Sequence, residues 1–101
     1  MIKKMQHLIH ASVQFVPIST GNNPYDLIDK AIEAFQQSGL FIQVGPLETF
    51  IEGSYSEVMV AIERAKNVCL NAGAQELVIN LRLHCKKDID VSIDEKITKY
   101  K

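Results

Sequence analysis

Apolar and polar residues alternate along residues 6–18, with Ile9, Ala11, Val13 and Phe15 on one parity and His10, Ser12 and Gln14 on the other. A period of two predicts a strand with one face in a core. Pro17 and the polar run from Ser19 to Asn23 end it. Asn23 followed by Pro24 then opens a helix: a side chain that accepts from first-turn amides, followed by a φ already set for the helix. Leu27, Ile28, Ala31, Ile32 and Phe35 recur at helical spacing, and Gly39 supplies the stop.

Two short strands, Leu40 to Val44 and Thr49 to Ile51, flank a Gly45-Pro46 turn. Ser54 and Glu57 have the spacing of a capping box, after which Val58, Ala61, Ile62, Ala65, Cys69 and Ala72 form a second helical stripe ending at Gly73. From Glu76 to His84 the alternation returns, with Leu77, Ile79, Leu81 and Leu83 set against Val78, Asn80, Arg82 and His84. Ser92 and Glu95 repeat the capping-box spacing, which predicts a short terminal helix over 93–100. The order β-α-β-β-α-β is the split β-α-β arrangement of ferredoxin-like domains. The fold class expected is therefore α+β: one domain over residues 1–101, with a four-stranded antiparallel sheet in the order 4-1-3-2 and both helices on one face.

Such a sheet leaves one face bare. Setting residue 10 opposite 84 places Ser12 across from Arg82 and Gln14 across from Asn80. Val16, Phe41 and Val78 join them on that face. One reading is a solvated polar surface, common on antiparallel sheets. The other is sheet-to-sheet packing between subunits, enclosing a pocket with a few converging polar groups.

Composition narrows the chemistry. The chain has 101 residues, 47% of them hydrophobic, enough for one modest core that self-association would help to bury. A net charge of -1 offers no electrostatic footprint for nucleic acid. The N-terminal run, broken by Gln6, His7 and His10, predicts neither a signal-peptide core nor a membrane span, so a cytoplasmic location is expected. Cys69 and Cys85 lack metal or redox spacing and read as small apolar thiols in regular elements. His7 and His10 fall on opposite faces of their strand. His10 and His84 meet across strands but lack a clear third ligand, so no metal is expected. No nucleophile motif such as Gly-x-Ser-x-Gly occurs, and no catalytic residue is assigned. The Ser19–Asn23 loop lacks a P-loop lysine and reads as a capping loop.

The segment Gly45-Pro46-Leu47-Glu48-Thr49-Phe50-Ile51-Glu52-Gly53 places Thr49 and Glu52 close together in an otherwise apolar hairpin, where unpartnered polar groups are costly. The pair therefore reads as part of a binding surface. With this segment, and with Ala11-Ser12-Val13-Gln14-Phe15-Val16-Pro17-Ile18 feeding a Ser/Thr/Gly/Asn loop, the chain resembles the small thiamine-binding, YkoF-like family over nearly its whole length. The resemblance implies a ferredoxin-like fold that assembles through its sheets into dimers and tetramers. It also implies binding of thiamine or its hydroxymethylpyrimidine moiety, without a reaction and without a further cofactor. The chain departs from the family pattern at Glu48 and Ser19, where a small residue and a glycine are usual.

An aminopyrimidine presents a donor amine beside ring acceptors, which the carboxamide of Gln14 or Asn80 matches with paired hydrogen bonds. Glu48 or Glu52 would accept from the amine or face the cationic ring. Phe41, Phe50 and Tyr55 are candidates to stack on it. The ligand-binding set expected is thus Ser12, Gln14, Phe41, Glu48, Thr49, Glu52, Asn80 and Arg82, in a non-catalytic carrier, buffer or sensor. Two rivals stand beside it: a small enzyme using Glu52 as acid or base, and a structural or regulatory module whose polar face only docks another subunit.

Overall fold

Strand β1 (Leu8–Ile18) organises the molecule because it is hydrogen-bonded on both edges. The computed structural model describes residues 7–97, in the order β1, α1 (Pro24–Gln36), β2 (Phe41–Val44), β3 (Thr49–Ser54), α2 (Tyr55–Asn71), β4 (Glu76–His84) and α3 (Ile93–Ile97). The sheet runs β2-β3-β1-β4 with every neighbouring pair antiparallel. This is the ferredoxin-like order that the periodicity predicts. The register also agrees: His10 faces His84, Ser12 faces Arg82, and Gln14 faces Asn80.

Strand β3 extends to Ser54, three residues beyond the sequence expectation. Glu52, Gly53 and Ser54 find ladder partners in His10, Ile9 and Leu8, so their backbone groups are satisfied by strand pairing rather than by a loop. The terminal helix covers Ile93–Ile97, and positions 98–100 of the expected span lie outside the described residues. Cys69 is buried in α2, as an apolar thiol would be. Cys85 is not in an element. It stands exposed just past the end of β4, because the chain leaves the sheet at His84.

The odd-numbered strand residues Ile9, Ala11, Val13, Phe15 and Ile51 pack against Ala31, Ala34 and Phe35 of α1 and Val58, Ala61, Ile62 and Ala65 of α2. Both helices therefore cover the same sheet face, and the core lies between the two layers. Their starts are capped as the sequence requires. The Asn23 side chain accepts from the Tyr25 amide at 2.8 Å, and Ser54 and Glu57 exchange bonds of 3.2 and 3.1 Å. Beyond β4 the chain returns to the start of β1: Leu8 N donates to Asp90 Oδ1 at 2.7 Å and Val91 N to Leu8 O at 3.2 Å. That return brings α3 over the end of the otherwise bare sheet face.

Gly73, after α2, has a φ of +131°, and a Cβ there would lie 2.4 Å from Asn22 Nδ2. Asn22 is held against it by bonds to Ser19 Oγ (3.1 Å) and Gly73 O (3.3 Å), tying the β1–α1 loop to the α2–β4 connection. Gly73→Ala is expected to lower unfolding free energy by about 1–3 kcal/mol, through backbone strain and the displaced asparagine. Gly21→Ala, whose Cβ would meet nothing within 4 Å, is the control and stays near wild type. Urea denaturation of the two variants checks the contrast, and equal midpoints would contradict it.

Candidate functional site

The period-two rule divides the expected binding residues between two faces. Glu52 pairs with His10 and Phe41, on the helix-free side. Thr49 pairs with Val13 and Val44, on the helix side. Three positions apart on one strand, their side chains leave in opposite directions. The Thr49–Glu52 pair expected from the hairpin is therefore not one surface.

On the helix-free face the polar groups bind one another. His10 is only 3% exposed, and its Nε2 lies 2.8 Å from Glu52 Oε2. Lys96 of α3 donates from Nζ to His10 Nδ1 at 2.5 Å. An ammonium can only donate, so Nδ1 accepts and Nε2 carries the proton given to Glu52. Burial, first among the causes, holds the Lys96 amine below its ordinary pKa. The Phe50 and His10 rings meet in an inclined, edge-type contact with centroids 4.8 Å apart, and Phe41 packs on Phe50 at 6.1 Å. Asn80 Nδ2 donates to Gln14 Oε1 at 3.1 Å. A shallow hollow of about 260 Å³ remains over this face, lined by His10, Ser12, Phe50, Arg82, His84 and Lys96 among others.

Glu48 reaches onto the same face from the β2–β3 loop. Ser12 Oγ donates to its Oε1, and Arg82 Nη2 lies 3.1 Å from each of its oxygens. The Ser12 hydrogen bond first, then the Arg82 bond, hold the Glu48 carboxyl below its ordinary value of 4.5. Both expected anions thus already have partners: Glu48 has Arg82 and Ser12, and Glu52 has His10.

A different hollow opens between α1 and the β2–β3 loop. This cleft of about 330 Å³ is walled by Tyr25, Ile28, Ile32 and Phe35 of α1, Val13 and Phe15 of β1, and the backbone run from Val44 to Thr49. Tyr25, Ile28 or Asp29, and Ile32 follow one another at helical spacing, which brings them to one side of α1. Asp29 lines the cleft from an exposed position, and Gln14 and Glu48 also border it. Thr49 is 6% exposed. It has no side-chain hydrogen bond among the described residues, where no buried side-chain nitrogen or oxygen lacks a partner, so its hydroxyl opens to the cleft. Apolar and aromatic walls with a few polar groups are the usual form of a small-molecule pocket.

Of the expected residues, Gln14, Glu48 and Thr49 border the cleft; Ser12, Phe41, Glu52, Asn80 and Arg82 do not. Tyr55 stands exposed at the start of α2 and lines neither hollow. Sequence reasoning missed Tyr25 and Asp29, although their spacing beside the buried stripe of α1 was readable. It also missed Lys96, which meets His10 across 86 positions of chain and leaves no local signal. His10 and His84 do meet, with ring centroids 6.4 Å apart, and among the described residues no group of three metal-ligating side chains is gathered.

Comparison with known proteins adds an independent line. A family model described as thiamine-binding protein matches residues 11–101. A UPF0045 protein of Clostridium perfringens is 29% identical over 92 residues, covering 91% of this chain and 96% of its own. A solved domain of unknown function from Bacillus cereus superimposes with a TM-score of 0.92 at 35% identity, covering 98% of this chain and 95% of its own. A candidate thiamine biosynthesis/salvage protein from Thermotoga maritima does so with a TM-score of 0.81 at 28% identity, covering 93% and 99%.

The lowered pKa of Glu48 carries a sign. A carboxyl depressed in the folded state stabilises that state in full above its unfolded value of 4.5, and the contribution is lost as pH falls through the folded pKa. Glu48→Gln is therefore expected to be less stable than wild type at neutral pH and to converge with it in acid. Urea midpoints of both proteins across pH 2–7 check this, and a gap that stays constant over the range contradicts it. His10→Leu removes the partner of Glu52 and is expected to cost about 1–3 kcal/mol in the same assay at pH 7. A neutral result would show that the His10–Glu52 bond contributes nothing.

Proposed function

The chain belongs to the thiamine-binding protein family, and on that premise we propose that it binds thiamine or its hydroxymethylpyrimidine moiety in the cleft beneath α1, without converting it. The observation that carries this reading is the free hydroxyl of Thr49 set among aromatic and aliphatic walls. A flat heterocycle lies against Tyr25 and over the floor that the packed rings of Phe15 and Phe35 form, exchanging water for apolar contact. Thr49 supplies a directional hydrogen bond to the aminopyrimidine, and Asp29 places a carboxylate at the rim for a cationic ring.

Binding rather than catalysis is supported by the lining itself. No histidine or cysteine borders the cleft among the described residues, and Glu52, the acid-base candidate, is hydrogen-bonded to His10 on the other side of the sheet. A carrier, buffer or sensor in the cytoplasm is the role that fits. No helix among the described residues is long and apolar enough to cross a membrane.

A second reading concerns assembly and rests on a separate observation. Val16, Phe41 and Val78 are each at least 40% exposed on the helix-free face, around polar groups that already satisfy one another. An apolar patch of that kind favours sheet-to-sheet association of two copies, as a dimer or within a tetramer. In this division of labour the helix-side cleft takes the ligand and the open face takes the partner.

Calorimetric titration with thiamine and with hydroxymethylpyrimidine tests the ligand reading. Saturable binding is expected, with stabilisation of about 2.7 kcal/mol at a hundredfold excess over Kd. Thr49→Val is expected to weaken binding about two- to tenfold, the worth of one hydrogen bond, with the fold retained. The ligand should be recovered unchanged after long incubation. Flat titrations with both compounds would remove the ligand reading, and turnover would remove the carrier role.

A further inference from the structure

The β2–β3 loop forms one wall of the cleft, yet little of it is packed. Its tip residue Leu47 is 78% exposed, and within the loop the Gly45 amide closes a tight turn by donating to Glu48 O at 2.8 Å. The ends of the turn are fixed by the Val44–Thr49 ladder pair, while its tip projects beyond the sheet with few packed side chains. The tip is tied down further by the Glu48 side chain, which leaves the cleft side and bonds to Ser12 and Arg82 on the opposite face. Ser12 and Arg82 are register partners on the neighbouring strands β1 and β4, so the anchor is part of the most regular region of the sheet.

We infer that Glu48 is a positioning residue: its carboxylate latches the β2–β3 loop to Ser12 and Arg82, sets the width of the cleft, and links occupancy of the cleft to the state of the open sheet face. The inference rests on the reading of the cleft as the ligand site. It departs from that reading in giving Glu48 no contact with the ligand, since its two oxygens are already held by a hydroxyl and a guanidinium.

The physical basis is a difference in scale between global and local stability. An ion pair this exposed contributes little to the whole fold. A loop with few packed side chains has a small opening free energy, however, and a small interaction can dominate it. Linkage makes the coupling reciprocal: ligand that holds the loop in place holds Glu48 on Arg82, and whatever draws Arg82 away loosens the cleft. Arg82 and Ser12 line the open-face hollow, so a second copy docking there meets the anchor itself.

The test uses wild type, Glu48→Gln, Arg82→Met and the double variant. In the ligand-free proteins, amide hydrogen exchange at residues 45–49 is expected to accelerate in each single variant, with the rest of the sheet unchanged. The double variant should exchange no faster than the faster single. Titration with thiamine should show Kd raised about two- to fivefold in each single variant and no further in the double, as two halves of one latch require. A ligand-contacting Glu48 would instead give effects that multiply with those of Arg82→Met. Multiplying effects, or loop exchange unaltered by either substitution, would overturn the inference. If wild type fails to bind thiamine, the cleft reading falls, while the exchange rates still decide whether the latch exists.

Discussion

The pairing of β1 with β3 on one edge and β4 on the other is the constraint from which the rest of the molecule follows. Side chains on a strand alternate with a period of two, so a slip of one residue would exchange the faces of a whole strand. In the observed register Ile9, Ala11, Val13 and Phe15 enter the core, and His10, Ser12 and Gln14 go to the open face. Ser12 meets Arg82 and His10 meets Glu52 only because of that alignment. The same register fixes Thr49 on the helix side, where it becomes part of the cleft.

Two surfaces of different character result. The helix-free face is a closed polar economy: Lys96 binds His10, His10 binds Glu52, Arg82 binds Glu48, and Asn80 binds Gln14. Groups that satisfy one another demand no ligand, and they leave Val16, Phe41 and Val78 exposed around them. The cleft is the reverse. It has apolar walls from α1 and β1, an available hydroxyl and a carboxylate at the rim. The β2–β3 loop touches both surfaces, since its backbone walls the cleft and its Glu48 carboxylate is anchored across the sheet.

Much of this was legible in the amino-acid sequence. The strand order, the β1–β4 register and the starts of α1 and α2 follow from periodicity and from Asn23, Pro24, Ser54 and Glu57, because local spacing encodes them. The candidate site was legible only in part. Thr49 and Glu52 look adjacent along the chain, and the strand's own alternation separates them, a signal that was available in Thr49 to Glu52 but outweighed by their proximity. The cleft wall formed by Tyr25, Asp29 and the β2–β3 loop comes from two layers meeting, which spacing along one element does not report. Lys96 on His10 is a contact between chain ends with no local trace. Cys85, expected inside an element, lies just past the last residue of β4, beyond a strand end whose last three residues are themselves exposed.

The central claim is that the heterocycle occupies the helix-side cleft and not the polar sheet face. Backbone amide NMR of the protein titrated with thiamine locates the ligand residue by residue. The account predicts perturbations concentrated on residues 25–35 and 44–49, with those at residues 76–84 small. Perturbations centred on His10, Asn80 and His84, with residues 25–35 silent, would contradict it.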